Sequence, residues 1–74
     1  MEKRRLELKA ELTRRDMKYR ELAGLLRDRG FDVGEFDIAR LVAGRLTPTE
    51  KMRGAISEIL GRPTFELFRE RGRA

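Results

Sequence analysis

Residues 21–44 read ELAGLLRDRGFDVGEFDIARLVAG, which contains two apolar stripes at helical spacing. The apolar positions are Leu22, Ala23, Leu25 and Leu26 in the first stripe and Ile38, Leu41 and Val42 in the second. Gly30 and Gly44 follow the two stripes, where a residue with easy access to left-handed backbone ends a helix. The stretch therefore predicts two helices, at residues 18–29 and 35–43, that are joined by a turn.

The flanking sequence predicts three more helices. Towards the N-terminus, Leu8 and Leu12 indicate a helix over residues 2–14, and Asp16 begins a turn. Towards the C-terminus, Thr47 is expected to cap a fourth helix, with Pro48 at its first position and a capping-box glutamate at position 50. Its apolar face is Met52, Ile56, Ile59 and Leu60, and Gly61 ends it. A fifth helix is expected at residues 63–70, and residues 71–74 are expected to fray.

The length and composition fit one small all-α domain. The chain of 74 residues is 39% hydrophobic and 42% charged, with no cysteine and no histidine. Such a short chain encloses one core, so residues 1–74 are expected to form a single five-helix domain. Without disulfides or the usual zinc ligands, its stability must come from packed apolar side chains.

The residue types argue against catalysis. Histidine and cysteine are absent, and Ser57 lies inside a predicted helix without an adjacent base. Asp32 and Asp37 lack the ligand ladder of a calcium loop, and helix capping is the better explanation for them. We expect no enzymatic activity, cofactor, metal or small-molecule ligand. No signal peptide or membrane span is evident, which favours a cytoplasmic location.

The positive charge is concentrated at the two ends of the chain. The net charge is +5, from 18 basic and 13 acidic residues. Residues 1–20 contribute +4 and residues 69–74 contribute +2, whereas residues 27–40 sum to −1. A basic excess favours contact with a polyanion but is common in soluble helical domains.

Four segments in order resemble the Cro/repressor type of helix-turn-helix, the XRE-like or lambda repressor-like DNA-binding domain. They are MKYRELA at 17–23, VGEFDI at 33–38, GRLTP at 44–48 and LGRPTFELF at 60–68. The resemblance covers residues 17–68 and implies five helices around one core, the third of which enters the major groove. One departure is an enlarged turn, since residues 27–32 separate Leu26 from Val33. The other is the acidic third helix.

The resemblance implies base contacts by Glu35, Phe36 and Arg40 in helix three. Arg40 can pair with guanine, Glu35 can accept from cytosine N4, and Phe36 can pack on a thymine methyl group. Alternatively, Glu35 and Asp37 only oppose the helix dipole. Phe36 can instead pack against Phe31 across the turn.

The resemblance also implies phosphate contacts at the starts of helices two and four and in the loop between helices three and four. The residues expected there are Lys18, Tyr19, Arg20, Arg45, Thr49 and Lys51. Each of these can equally be an ordinary solvated surface residue. The same choice holds for Arg4, Arg5, Arg14 and Arg15, which either extend the contact or solvate helix one.

A DNA-binding domain this small is expected to bind as a homodimer on half-sites about 34 Å apart. Phe65, Leu67 and Phe68 cannot all face inward from one short helix, so they are candidates for the dimer interface. The alternative is two core residues and one scattered surface residue.

Three functions follow from these observations. The first is sequence-specific binding of double-stranded DNA by a small transcriptional regulator, in a prokaryotic nucleoid. The second is a protein-interaction module that has kept the scaffold without base recognition. The third is non-specific nucleic-acid binding by the basic ends, for which deletion of residues 69–74 should remove most of the affinity.

Overall fold

Five α-helices make up the part of the chain that the computed structural model describes, residues 5–68. In chain order they are α1 (Leu6–Arg14), α2 (Tyr19–Asp28), α3 (Glu35–Val42), α4 (Glu50–Leu60) and α5 (Thr64–Leu67). No strand occurs within residues 5–68, and the predicted all-α class is confirmed. The predicted extensions of the first helix to residue 2 and of the fifth to residue 70, and the tail 71–74, lie outside the described residues.

One apolar core joins the five helices. Its largest fully buried side chains are Leu8, Leu12, Leu22, Leu26, Ile38, Leu41, Ile56, Leu60 and Leu67. Two predicted core residues differ: Leu25 is 40% exposed, and Ile59 is only partly buried. Leu25 lies at the edge of the arc that Leu22 and Leu26 bury, because successive residues of a helix are 100° apart about its axis. Each fully buried leucine contributes about 1.5–3 kcal/mol through the hydrophobic effect.

A residue with left-handed backbone follows each of the first four helices. Asp16, Gly30, Gly44 and Gly61 have φ angles of 54°, 95°, 82° and 66°. The predicted stops at the three glycines are confirmed, and so is the turn at Asp16. Asp16 is the only one of these four residues that is not glycine.

The start of α4 differs from the prediction. The N-cap is Thr49 rather than Thr47, and its Oγ accepts a hydrogen bond from the Met52 N–H at 3.2 Å. Pro48 is buried and lies in the loop that precedes the cap. It is therefore outside α4. Glu50 is the first residue of α4 and closes no capping box with Thr47. The helix therefore starts two residues later than predicted, because Thr49 rather than Thr47 accepts from a free N–H group of the first turn.

A buried carboxylate ties α1 to the C-terminal end of the domain. Glu11 is 5% exposed, and it accepts from Arg14, from Arg15 Nε at 2.6 Å and from Arg62 Nη1 at 2.7 Å. Hydrogen bonding from Arg15 and then from Arg62 outweighs the effect of burial and lowers the pKa of Glu11. Arg15 also donates to the carbonyl of Leu60 at the end of α4. Arg14 and Arg15, which the sequence left as possible phosphate contacts, therefore form structural ion pairs with Glu11.

Candidate nucleic-acid interface

The connection between α2 and α3 spans residues 29–34 and is fixed at both ends. Gly30 N–H donates to the Arg27 carbonyl at 2.9 Å and Phe31 N–H to the Leu26 carbonyl at 3.0 Å, the pattern of a Schellman motif. Phe31 packs against the core. Arg27 Nη1 donates to the Val33 carbonyl at 3.0 Å from the other side of the connection. The long turn expected from the sequence is therefore an ordered bridge that orients α3.

The solvent-facing side of α3 carries the three residues predicted to contact bases. Ile38 is fully buried, whereas Glu35, Phe36 and Arg40 are exposed. Phe36 has 81% of its surface exposed, so it is not packed into the core as Phe31 is. The alternative of a Phe36–Phe31 packing pair is not favoured by this exposure. The outer surface of α3 thus combines an acid, an aromatic ring and a guanidinium group.

The first turn of α3 is held by Asp37. Its Oδ2 accepts from the Gly34 N–H at 3.0 Å, and its Oδ1 accepts from Arg40 Nη2. The bond from the Gly34 backbone, followed by that from Arg40, lowers the pKa of Asp37. Helix capping therefore accounts for Asp37, as expected from the sequence. The same bonds fix the position of the Arg40 side chain relative to the helix start.

The C-terminal end of α3 is held by Arg5. Arg5 is 3% exposed, and its N–H donates to the Val42 carbonyl at 2.8 Å. Its Nη1 donates to the Leu41 carbonyl at 2.7 Å and to the Leu46 carbonyl at 3.3 Å. This burial removes Arg5 from the proposed phosphate contacts. Sequence reasoning missed its role, although Arg5 shares a helical face with Leu8 and Leu12 at i, i+3 and i+7 spacing.

The predicted phosphate-contacting residues lie at the starts of α2 and α4 and in the loop after α3. Lys18 is the N-cap of α2 and is exposed, and its backbone N–H donates to Glu21 Oε1 at 2.8 Å. Tyr19 is partly buried against the core, and Arg20 is exposed. Arg45 follows the left-handed residue that ends α3, and its N–H donates to the Arg40 carbonyl at 2.8 Å.

The last two predicted phosphate contacts belong to α4. Thr49 and Lys51 are exposed at its N-terminus. The Thr49 oxygen accepts from Met52 N–H, so its hydroxyl proton remains available to an acceptor such as a phosphate oxygen. These two residues flank Glu50, the first residue of the helix.

The arginine and lysine side chains fall into two groups by their ion pairs. Carboxylates within residues 5–68 pair with Arg14, Arg15, Arg29, Arg40 and Arg62. Over the same range no ion pair involves Lys18, Arg20, Arg45 or Lys51, nor Lys9, Arg27 or Arg53. All four basic side chains that were predicted to contact phosphates therefore belong to the group without a carboxylate partner in the described part of the chain.

The three residues predicted for a dimer surface match the alternative stated with that prediction, in which two pack on the core and one is exposed. Leu67 is fully buried in the core, so its side chain cannot form a contact between subunits, and this prediction is corrected. Phe65 is 71% exposed, and Phe68 is partly buried. These two rings line a shallow groove together with Arg53 and Thr64. In a helix of one turn, the ring two residues before the buried leucine must point away from the core.

Other sequence expectations concern Ser57 and metal ions. The Ser57 hydroxyl donates to the Arg62 carbonyl at 2.5 Å, which gives it a structural role at the end of α4. Among residues 5–68, no group of three or more His, Cys, Asp or Glu side chains is placed to hold a metal ion. In the same range no helix has the length and apolar character needed to cross a membrane.

Comparison with known proteins identifies no relative. No protein-family model matches the chain, and neither a curated protein nor a solved structure is similar enough to count as a match.

Proposed function

We propose that this chain binds double-stranded DNA in a sequence-specific manner, as a small transcriptional regulator with a repressor-like helix-turn-helix fold. The supporting observation is that Lys18, Arg20, Arg45 and Lys51 are exposed and form no ion pair within residues 5–68. Elsewhere Arg14, Arg15, Arg29 and Arg62 pair with carboxylates, whereas Lys9, Arg27 and Arg53 form no ion pair within residues 5–68. Cations without a local counter-charge are the ones that gain most from contact with phosphates.

Base recognition is assigned to the exposed side of α3 in the major groove. Arg40 donates two hydrogen bonds to the N7 and O6 atoms of guanine, the most common specific contact in this groove. Glu35 accepts from the N4 amine of cytosine, and Phe36 contacts the methyl group of thymine. The exposure of all three side chains supports this assignment.

Phosphate contacts position the domain on the duplex but carry no sequence information. Lys18 and Arg20 approach the backbone from the start of α2, with the Tyr19 hydroxyl between them. Arg45, the Thr49 hydroxyl and Lys51 approach it from the α3–α4 loop and the start of α4, where free backbone N–H groups also favour an anion. These contacts compensate for the acidic side chains in and before α3.

The proposed functional unit is a homodimer, because one copy of so small a domain contacts little DNA. The exposed ring of Phe65 and the partly buried ring of Phe68 form the proposed contact between subunits. Two-fold symmetry then predicts a palindromic operator with half-sites about 34 Å apart. A regulator of this type acts in the cytoplasm, at the prokaryotic nucleoid.

The test is selection of bound fragments from random DNA at two salt concentrations, followed by affinity measurements on the enriched site. We expect a palindromic consensus at both concentrations. Arg40→Ala should weaken binding to that site by about 1–3 kcal/mol and relax the preference at one base pair. The matched control is Arg29→Ala, which also removes an ion-paired arginine, here one held by Glu58 Oε1 at 2.5 Å.

A consensus that Arg40→Ala leaves unchanged would remove Arg40 from base recognition. Enrichment that disappears at the higher salt concentration would contradict sequence-specific binding altogether. In that outcome, loss of affinity on deletion of residues 69–74 would assign the binding to the basic ends.

A second candidate function is a protein-interaction module, which the 81% exposure of Phe36 favours. An exposed aromatic ring that follows the exposed Glu35 in the chain suits contact with a basic or apolar protein surface. Under this hypothesis no DNA sequence is preferred, and Phe36→Ala leaves the affinity for DNA unchanged. Selection of a DNA consensus would exclude it.

A further inference from the structure

The side chains of Asp37 and Arg40 form an ion pair on the exposed part of α3, one helical turn apart. Both carboxylate oxygens of Asp37 are engaged, Oδ1 by Arg40 and Oδ2 by the N–H of Gly34 at 3.0 Å. The carboxylate is therefore tied to the backbone at the start of the helix. Arg40 is therefore paired with a carboxylate that is itself bonded to the backbone of the helix.

The pairing leaves Arg40 able to bind a base. A guanidinium group carries five N–H donors, and the Nη2 bond to Asp37 uses one of them. The Arg40 side chain is still 58% exposed, so its other donors are accessible to solvent. A long side chain that is already ordered loses less conformational freedom on binding than a mobile one.

We propose that Asp37 is a positioning residue that orients Arg40 towards guanine, and that the domain therefore selects a site with a G·C pair opposite Arg40. This inference rests on the proposed DNA-binding function. Asp37 itself touches no base; it acts through Arg40. Its negative charge opposes general attraction to DNA, so beyond capping α3 its contribution is to selectivity rather than to affinity.

The proposal predicts that one substitution lowers the base preference and raises the affinity for unrelated DNA. Asp37→Asn should lower the preference for G·C over A·T at the Arg40 position about tenfold, within the range that one bidentate base contact supplies. The same change should raise affinity for unrelated DNA, because one negative charge is removed. The matched control is Asp32→Asn, which removes an exposed acidic charge before α3 but has no contact with Arg40. It should raise affinity for unrelated DNA and leave the base preference unchanged.

The experiment measures binding to the selected site and to its G·C→A·T variant for the parent, Asp37→Asn, Arg40→Ala and the double variant. If Asp37 acts through Arg40, Asp37→Asn has no further effect on the preference in the Arg40→Ala background. A parent with no base preference overturns both this inference and the proposed function. A parent whose preference depends on Arg40 but survives Asp37→Asn overturns this inference alone.

A second measurement needs no DNA and excludes a merely structural effect. In the free protein, NMR relaxation of the Arg40 Nε–H group should report an ordered side chain in the parent and a mobile one in Asp37→Asn. Asparagine can still accept from the Gly34 N–H, and circular dichroism monitors whether the variant is folded. Equal Arg40 order in both proteins overturns the proposal.

Discussion

At the scale of single residues, two glycines respond to the same substitution in opposite directions. Gly24 lies inside α2 with open space around the position of an added Cβ, whereas Gly30 has a φ of 95° after α2. Gly24→Ala should raise the free energy of unfolding by about 0.5–1 kcal/mol, because alanine loses less backbone entropy in a helix. Gly30→Ala should lower it by about 1–2 kcal/mol, because a side chain disfavours left-handed backbone.

Thermal denaturation followed by circular dichroism measures both glycine variants, with a shift of about 4–8 °C expected for each kcal/mol in a domain of this size. Each variant is the control for the other, since both make the same change within seven residues of chain. Equal shifts would contradict the assigned role of Gly30 in ending α2.

At the scale of helices, Glu11 connects α1 to the segment between α4 and α5. Glu11→Gln leaves Arg62 and Arg15 without a buried carboxylate, and we expect the free energy of unfolding at pH 7 to fall by about 1–3 kcal/mol. Glu7→Gln is the matched control, because Glu7 is exposed on the same helix. A loss as large for Glu7→Gln would show that net charge, rather than the ion pairs of Glu11, is responsible.

The pH dependence of this stabilisation follows from the lowered pKa of Glu11. In the unfolded chain the carboxyl binds its proton near the ordinary value of 4.5, while in the folded protein it stays ionised to lower pH. Its contribution is therefore complete above pH 4.5 and is lost as the pH falls through the lowered pKa. Urea denaturation of the parent and of Glu11→Gln between pH 7 and pH 3 should show the two stabilities converging at the acidic end. A constant difference would contradict the linkage.

The helices were predictable from the sequence, but the charged groups that fasten them were not. Apolar spacing and glycine stops located α2 and α3, because these signals are local. Arg5 bonds carbonyls distant in the sequence, and Glu11 joins its near neighbours Arg14 and Arg15 to the distant Arg62. A pattern of apolar and charged residues predicts that both Arg5 and Glu11 are solvated. The start of α4 was misplaced because both Thr47 and Thr49 can cap a helix, and the local sequence does not decide which of them bonds the first turn. At the candidate site, the sequence predicted that Arg40 lies on the exposed side of the third helix, but not that it pairs with Asp37.

At the scale of the whole molecule, the distribution of unpaired cations predicts how the proposed DNA binding should depend on salt concentration. Lys51→Ala should reduce the slope of log affinity against log salt concentration by about 1, because one phosphate contact is lost. Arg29→Ala should leave the slope nearly unchanged, since its charge is already balanced by Glu58. Titrations at four or more salt concentrations measure both slopes. Equal reductions would indicate that overall charge governs binding and that no defined interface exists.

The hydrogen bonds from Arg5 make the stability of α3 depend on the folding of the whole domain. Arg5 precedes the residue that accepts its hydrogen bond, Leu41, by 36 positions in the chain. An isolated helix of eight residues is unstable in water, so α3 depends on such distant contacts to persist. In a nascent or partly unfolded chain, α3 is therefore not stably formed. The proposed recognition of DNA then requires the folded domain, and a change that displaces Arg5 is expected to disturb the C-terminal end of α3.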